Sequence, residues 1–202
     1  RAKFIYINYP NNPTGAVATK AFYEKLVAWA KTYEVGVVSD LAYGALGYRG
    51  YENPSFLSTP GAKDVGIEFY TFSKTFNMAG WRLAFAAGND QMIEALNLIQ
   101  DHLFVGIFPA LQEAGIAALL DPKSEEAVAQ LNATYDSRRD AFVQAAAKIG
   151  WKAFPSKGSF YAWMPVPEGY TSESFADLLL EKAHVAVAPG KGFGPAGDAY
   201  VR

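Results

Sequence analysis

The sequence predicts an α/β fold, in which a largely parallel β-sheet is followed by a small α+β unit. Short apolar, β-prone segments alternate with segments of helical period through about residue 120. A long amphipathic helix is then expected from Ser124 to about Ile149. After Gly150 the composition changes, and short β-prone segments surround one further helix. The predicted parts are therefore residues 1–120, a connecting helix within 121–150, and a small unit over 151–202.

The individual elements follow from local patterns. Apolar, β-prone runs predict strands at residues 3–8, 35–39, 67–72, 83–88, 152–154, 159–164, 185–188 and 200–202. Apolar residues at helical spacing predict helices from a Thr19 cap to Tyr33 and at residues 90–103, 109–120, 124–149 and 172–183. Residues 51–64 are rich in Pro, Gly, Ser and Asn, so a surface loop is expected there.

Composition excludes several classes of protein. The 18 basic and 20 acidic residues give a net charge of −2, which argues against a general nucleic-acid or membrane-surface partner. No apolar run is long enough to predict a membrane span. The absence of cysteine excludes disulfides and thiolate metal sites and is typical of a cytoplasmic protein. The only two histidines, His102 and His184, are far apart in sequence, so no metal site is predicted.

Lys74 is the strongest candidate for a reactive residue. It follows a predicted buried strand, Thr71 and Ser73 stand just before it, and Arg82 follows beyond Gly80. A lysine amine can form a Schiff base with a carbonyl group, whereas hydroxyls and a guanidinium can hold a phosphate. This combination predicts a site for a carbonyl cofactor that carries a phosphate.

Two more polar residues come directly after predicted strands. Asn12 lies in the rigid turn that follows the first strand, and Asp40 ends the second. Ligands of open α/β sheets bind beyond the carboxyl ends of the strands. We therefore expect Asn12, Asp40 and Lys74 to gather at one edge of the sheet.

Four segments carry a resemblance to a known family. They are Asn-Asn-Pro-Thr-Gly at 11–15, Asp40-x-x-Tyr43, Ser73-Lys74-Thr75-Phe76-Asn77-x-x-Gly80-x-Arg82, and Tyr200-Val201-Arg202. In order and spacing the whole chain resembles the class I/II aminotransferases of fold type I, which depend on pyridoxal 5′-phosphate. The resemblance implies the second half of the large cofactor-binding domain, followed by a small C-terminal domain. The family's first half, including a phosphate loop and a ring-stacking aromatic, is expected outside this chain, so the chain alone should be inactive.

The resemblance also implies roles around the cofactor ring. Lys74 would hold the cofactor as a Schiff base and then act as general base and acid at the substrate Cα. Asp40 would pair with the pyridine nitrogen and keep it protonated. Tyr43 and Asn12 would donate hydrogen bonds to the phenolic oxygen of the cofactor.

The remaining roles concern anionic groups. Thr71, Ser73 and Arg82 would bind the cofactor phosphate, for which a guanidinium offers two parallel donors. Arg202 and Asn12 would bind the substrate, and Arg202 would pair with its α-carboxylate.

The function implied is transfer of an amino group between an amino acid and a 2-oxo acid, by a cytoplasmic homodimer. The sequence resembles the subgroup that includes diaminopimelate, alanine and methionine-pathway aminotransferases, but its residues do not identify the substrate. One alternative is a β-lyase or synthase on the same fold, although Tyr43 and the Asn12 turn favour transamination. Another is an aminotransferase-like sensor domain of a transcriptional regulator, which needs a DNA-binding segment outside this chain. The last is a plain α/β domain whose motif matches are accidental.

Overall fold

The structure is a computed structural model that describes residues 2–202. The strands are β1 Phe4–Asn8, β2 Gly36–Asp40, β3 Gly66–Thr71, β4 Ala84–Gly88, β5 Met164–Pro165 and β6 Tyr200–Val201. The α-helices are α1 Lys20–Tyr33, α2 Ala62–Val65, α3 Phe72–Thr75, α4 Asp90–Leu103, α5 Pro109–Leu120, α6 Ser124–Lys148 and α7 Ser172–Ala183. Short 3₁₀ helices span Phe56–Ser58, Ala79–Trp81, Gly190–Phe193 and Pro195–Ala199.

Four strands form the main sheet in the order β1-β2-β3-β4. The first three run parallel, whereas β4 is antiparallel to β3. A short reversal through α3 returns the chain to the sheet without a crossover helix, so β4 must run the other way. The register pairs Asn8 with Asp40 and Asp40 with Phe69, so β1, β2 and β3 end at one edge. The predicted α/β class with a largely parallel sheet is confirmed.

Helix α1 covers one face of this sheet. Thr19 caps it, since the threonine side chain accepts a hydrogen bond from the Phe22 amide at 3.2 Å. Its buried side chains, which pack with Ile7, Val37 and Phe56, are Tyr23, Leu26, Val27 and Ala30. Trp29 and Tyr33 lie in the same helix but are 40% and 51% exposed, so they remain outside this cluster.

The segment expected to be a surface loop, 51–64, contributes to the core. Phe56 is completely buried, and Ala62 at the start of α2 is buried as well. The cause is Glu68 on β3, a buried carboxylate that accepts hydrogen bonds from the Phe56 amide at 2.8 Å and from the side chains of Ser39 and Ser55. These bonds tie the loop to the sheet, and composition alone gave no sign of them.

The C-terminal part has less strand than the sequence predicts. Only β5 and β6 form there, as an antiparallel pair. Residues 152–154 form no strand, and Phe154 is 63% exposed. Residues 185–188 are not a strand either, although Ala188 exchanges two backbone hydrogen bonds with Arg202, at 3.0 and 2.9 Å. Helix α7 is confirmed, and Thr171 and Ser174 form a capping box at its start.

Two separate clusters of buried side chains stabilise the chain. The first lies between α1 and the main sheet. The second joins the end of α6 to the C-terminal part through Ala146, Met164, Phe175 and Val201. Among residues 2–202, no helix has the length and apolarity needed to cross a bilayer.

Candidate functional site

A cavity of about 440 Å³ opens at the edge where β1 and β2 end. Three of the residues singled out in the sequence, Asn12, Asp40 and Tyr43, lie in its wall. The full lining is Tyr6, Asn8, Asn11, Asn12, Asp40, Ala42 and Tyr43. Of the three residues expected to gather at this edge, Asn12 and Asp40 therefore share the cavity wall, whereas Lys74 is not among the lining residues.

The Asp40 carboxylate is held from two sides. Its Oδ2 accepts a hydrogen bond from Tyr6 Oη at 2.9 Å, and its Oδ1 accepts one from the Ala42 amide at 3.1 Å. An ionised carboxylate offers about four acceptor positions, so Asp40 keeps capacity for a further donor. Partial burial, together with the bond to the Asp40 carboxylate, raises the pKa of Tyr6 to about 12.

The turn after β1 is fixed by asparagine side chains. Asn8 Oδ1 accepts a hydrogen bond from the Asn12 amide at 2.9 Å, and Asn11 Oδ1 accepts one from the Thr14 amide at 3.1 Å. Asn8 also donates its Nδ2 to the backbone oxygen of Asp40 at 3.1 Å, which ties the turn to the end of β2. The side chain of Asn12 is thereby directed to the carboxyl edge of the sheet.

Arg202 reaches this turn from the other end of the chain. Its Nη1 donates a hydrogen bond to Asn12 Oδ1 at 2.9 Å. The guanidinium carbon lies 4.3 Å from the ring centre of Tyr161 and 5.0 Å from that of Phe193. Because a guanidinium has five N–H donors, most of its donors are left for an anionic ligand.

Tyr43 packs against the Tyr161 ring and is only 4% exposed. Its hydroxyl oxygen is 3.2 Å from that of Tyr161, and its ring meets Phe160 edge to face at 5.4 Å. Burial in the first place, and then the hydrogen bond with Tyr161, raise the pKa of Tyr43 above its ordinary value.

Lys74 is placed on α3, immediately after β3. Its Nζ lies 5.7 Å from the ring centre of Phe160, the same ring that contacts Tyr43. Phe160 thus links Lys74 to the cluster around the cavity. Thr71 caps α3 by accepting a hydrogen bond from the Ser73 amide at 3.1 Å, which fixes the turn that carries Lys74.

The predicted phosphate ligands are less tightly gathered. Thr71 Oγ1 and Ser73 Oγ lie 2.9 Å apart and form a hydroxyl pair at the start of α3. Thr71 Oγ1 also lies 3.3 Å from the backbone oxygen of Leu83, next to Arg82. Arg82 itself is exposed, and its Nη1 donates to the Ala79 oxygen at 3.4 Å. The structure thus places Arg82 on the segment beside the hydroxyl pair, with its guanidinium bonded to the Ala79 oxygen.

Four residues of this neighbourhood were not predicted from the sequence: Tyr6, Asn8, Phe160 and Tyr161. Tyr6 and Asn8 alternate along β1 and share one face, so polar groups in an otherwise apolar strand were a usable signal. Phe160 and Tyr161 had no local signal, because they meet Tyr43 only through the fold. Within residues 2–202, no group of three or more His, Cys, Asp or Glu side chains is arranged to bind a metal ion.

Comparison with known proteins shows which family the chain is related to. A model of the family "Aminotransferase class I and II" matches residues 1–202. The chain is 59% identical over its full length to half of L-glutamine–4-(methylsulfanyl)-2-oxobutanoate aminotransferase from Bacillus subtilis. It is also 50% identical over its full length to LL-diaminopimelate aminotransferase from Moorella thermoacetica, of which it covers 51%.

Solved structures agree with this relationship. The apo structure of BacF from Bacillus subtilis superposes with a TM-score of 0.95 at 49% identity, over 100% of this chain and 51% of that one. An aminotransferase from Staphylococcus aureus superposes with a TM-score of 0.94 at 42% identity, over 99% of this chain and 52% of that one. The chain thus spans about half the length of the curated relatives it matches. On the family model, the sequence identity and the fold together, the chain belongs to the class I and II aminotransferase family.

Proposed function

We propose that the protein containing this chain is a pyridoxal-phosphate-dependent aminotransferase that moves an amino group between an amino acid and a 2-oxo acid. The observation that carries this proposal is the convergence of Asn12, Asp40 and Tyr43 on one cavity, with the Lys74 amine 5.7 Å from the ring of Phe160, which contacts Tyr43. When bound, pyridoxal phosphate supplies an aldehyde that condenses with amines and a ring that withdraws electrons from the reacting carbon.

The donors and acceptors of the cavity fit this cofactor. Asp40 keeps acceptor capacity for a protonated ring nitrogen, and its two existing hydrogen bonds fix its orientation. Tyr43 and Asn12 line the same cavity and offer a hydroxyl and an amide to an anionic ring oxygen. These three side chains come from two neighbouring strand ends, so the sheet itself sets their spacing.

Lys74 is the catalytic residue of this proposal. Its amine would carry the cofactor and, once released by the incoming amino acid, would move the proton from the substrate Cα to the C4′ carbon. A position on a capped helical turn beside an aromatic ring limits the directions in which the amine can reach. The backbone of Lys74 is thus held in place by the capped turn, while its side-chain amine remains able to move.

Anion binding is assigned to two places. The Thr71 and Ser73 hydroxyls, with Arg82 on the adjacent segment, would bind the phosphate. Arg202, kept in place by Asn12 and two aromatic rings, would bind the α-carboxylate of the substrate. The two sites lie on different segments, so the cofactor and the substrate would be oriented independently.

Three further properties are proposed for the whole protein. We propose that it is a homodimer and that it is cytoplasmic. We also propose the division into residues 1–120, 121–150 and 151–202, which the two separate clusters of buried side chains support. Relatives that carry aminotransferase names favour transfer over the lyase or synthase alternative.

The test uses the full-length protein, pyridoxal phosphate and pairs of amino acid and oxo acid suggested by the relatives. L-glutamine with 4-(methylsulfanyl)-2-oxobutanoate is one pair, and LL-diaminopimelate with a 2-oxo acid is another. We expect a visible absorption band that changes when a substrate is added.

Lys74→Ala should abolish that band and slow amino transfer by about 10³-fold or more, because the base at the substrate Cα is lost. Lys63→Ala, which removes an exposed lysine paired with Asp90, should behave like the wild type. An undiminished band and rate in Lys74→Ala would refute the proposed function.

A further inference from the structure

The side chain of Tyr161 contacts both Tyr43 and Arg202. Its hydroxyl oxygen lies 3.2 Å from that of Tyr43. Its ring centre lies 4.3 Å from the guanidinium carbon of Arg202. The proposed function gives roles to Tyr43 and Arg202 but none to the residue that lies between them.

The backbone before Tyr161 is anchored to the sheet edge. The amides of Tyr48 and Ser159 donate to the oxygens of Lys157 and Leu46, at 3.1 and 3.3 Å. A Cβ atom on Gly158 would lie only 2.6 Å from Cγ of Pro10, so the chain passes directly against the turn after β1. Tyr161 is thus presented from a segment fixed to the loops that follow β1 and β2.

The Tyr161 ring provides a platform for the guanidinium. Phe193 approaches the same guanidinium at 5.0 Å, and Asn12 accepts one of its hydrogen bonds at 2.9 Å. Two aromatic rings and one acceptor leave Arg202 few alternative orientations. Because a guanidinium that is already oriented loses less entropy when it binds a carboxylate, the ring should strengthen substrate binding.

The Tyr161 hydroxyl provides a partner that can both accept and donate. Each of the two hydroxyls has one proton and two lone pairs, so the pair can exchange donor and acceptor. In the structure, Tyr43 has the Tyr161 oxygen as its acceptor. When Tyr43 turns its proton to an anionic ligand oxygen, Tyr161 can donate to Tyr43 and strengthen that bond, since linked hydrogen bonds polarise one another.

We propose that Tyr161 is a positioning residue, whose ring orients Arg202 for the substrate carboxylate and whose hydroxyl supports hydrogen-bond donation by Tyr43 to the cofactor. This inference rests on the proposed function. The ring and the hydroxyl of Tyr161 have separate roles in this proposal, and two substitutions distinguish those roles.

The test compares Tyr161→Phe and Tyr161→Leu in the full-length protein loaded with pyridoxal phosphate. The phenylalanine variant keeps the ring and loses the hydroxyl, whereas the leucine variant loses both. Tyr170→Phe is the matched control, since Tyr170 is 43% exposed and its ring packs on Phe175 away from the cavity. The readouts are the pH midpoint of the visible absorption band and the separate values of KM and kcat for the best amino donor.

In Tyr161→Phe we expect KM to stay within about twofold of the wild type, because the platform for Arg202 is intact. The pH midpoint of the band should rise by about half a unit or more, because the anionic form of the cofactor loses support. The other groups that act on Tyr43 are Asp40 and Arg202, and neither is changed. A midpoint that stays or falls would overturn the hydroxyl role.

In Tyr161→Leu we expect the same rise of the midpoint and, in addition, a KM about three- to tenfold higher, as the loss of a cation–π platform implies. A KM within twofold of the wild type would overturn the role of the ring. If the leucine variant does not fold, Tyr161→Met replaces it as a ring-free variant. A wild-type protein that shows no band at all would refute the proposed function instead, so the two failures are distinguishable.

Discussion

Asp40 and Tyr6 form a hydrogen-bonded pair, in which Tyr6 orients the carboxylate and the carboxylate disfavours ionisation of Tyr6. The Tyr6 hydroxyl donates to Asp40 Oδ2, which leaves the second carboxylate oxygen to the Ala42 amide. Ionisation of the tyrosine would place two negative charges within 2.9 Å of one another. Partial burial and this hydrogen bond are the reasons why the pKa of Tyr6 rises from 10.0 to about 12.

The Tyr6 pair predicts a dependence of stability on alkaline pH. Because the pKa is raised in the folded state, the stabilisation is complete below the unfolded value of 10.0 and is lost as pH rises towards about 12. In Tyr6→Phe this contribution is absent, so the free energy of unfolding should fall less steeply between pH 10 and 12 than in the wild type. Urea unfolding at several pH values across that interval measures the slopes. Equal slopes for the two proteins would show that Tyr6 does not keep its proton in the fold.

Strand β3 does more than carry the chain to Lys74. Its Glu68 is buried and gathers three donors, two serine hydroxyls and the Phe56 amide. A buried carboxylate is tolerated because these hydrogen bonds replace those it loses to water. The same bonds hold Phe56 in the cluster beneath α1, so one strand supports both the site and the core behind it.

We expect Glu68→Ala to lower the free energy of unfolding by about 3 kcal/mol, because it leaves several buried donors without a partner. Denaturant unfolding measures the loss. Glu24→Ala, on the exposed face of α1, is the matched control and should change stability by less than about 0.5 kcal/mol. If Glu68→Ala lowers the free energy of unfolding no more than the control does, the desolvation of the buried carboxylate cancels the stabilisation by its hydrogen bonds.

Arg139 on α6 joins the three predicted parts of the chain. Its side chain is only 11% exposed and pairs with Asp136 and Asp140 on its own helix. It also donates to the Ser156 oxygen at 3.1 Å, and its guanidinium lies 4.8 Å from the ring centre of Tyr48. Tyr48 and Ser156 belong to the segments that hold Tyr43 and Tyr161 together, so Arg139 stabilises the arrangement on which the site depends.

Arg139→Met should cost about 3 kcal/mol of stability, since it removes one partner of a largely buried ionic network. The adjacent residue, Arg138, gives a matched control, since it is exposed and its guanidinium lies over the Tyr135 ring. Arg138→Met should lower the free energy of unfolding by less than about 0.5 kcal/mol. Thermal unfolding of the two variants side by side measures the difference. Similar losses of stability in both variants would mean that Arg139 does not stabilise the contact between the parts of the chain.

The parts of the fold that local patterns determine could be predicted from the sequence. Strands β1 to β4, the Thr19 cap and helices α4 to α7 follow from apolar period, caps and turn residues. Asn12 and Asp40 could be assigned to one edge because parallel strands end together. Lys74 could be singled out because it follows a predicted strand directly and has the hydroxyl residues Thr71 and Ser73 just before it.

The parts that long-range packing determines could not be predicted. Tyr43 and Tyr161 are separated by 118 positions and meet only when α6 returns the C-terminal part to the sheet. Along α6 the two aromatic residues differ in environment, since Tyr135 is half-buried and Phe142 is 42% exposed. Different turns of α6 pack against different parts of the chain. The spacing of its apolar residues does not reveal which part each turn contacts.

The most direct test of this account is to find which amine holds the cofactor. Full-length protein is loaded with pyridoxal phosphate, treated with borohydride so that the cofactor is fixed to its amine, and digested with trypsin. Modification at Lys74 blocks cleavage there, so mass spectrometry should find the label on the peptide Asp64–Arg82. A label on any other lysine, with Asp64–Lys74 released unmodified, would contradict the account.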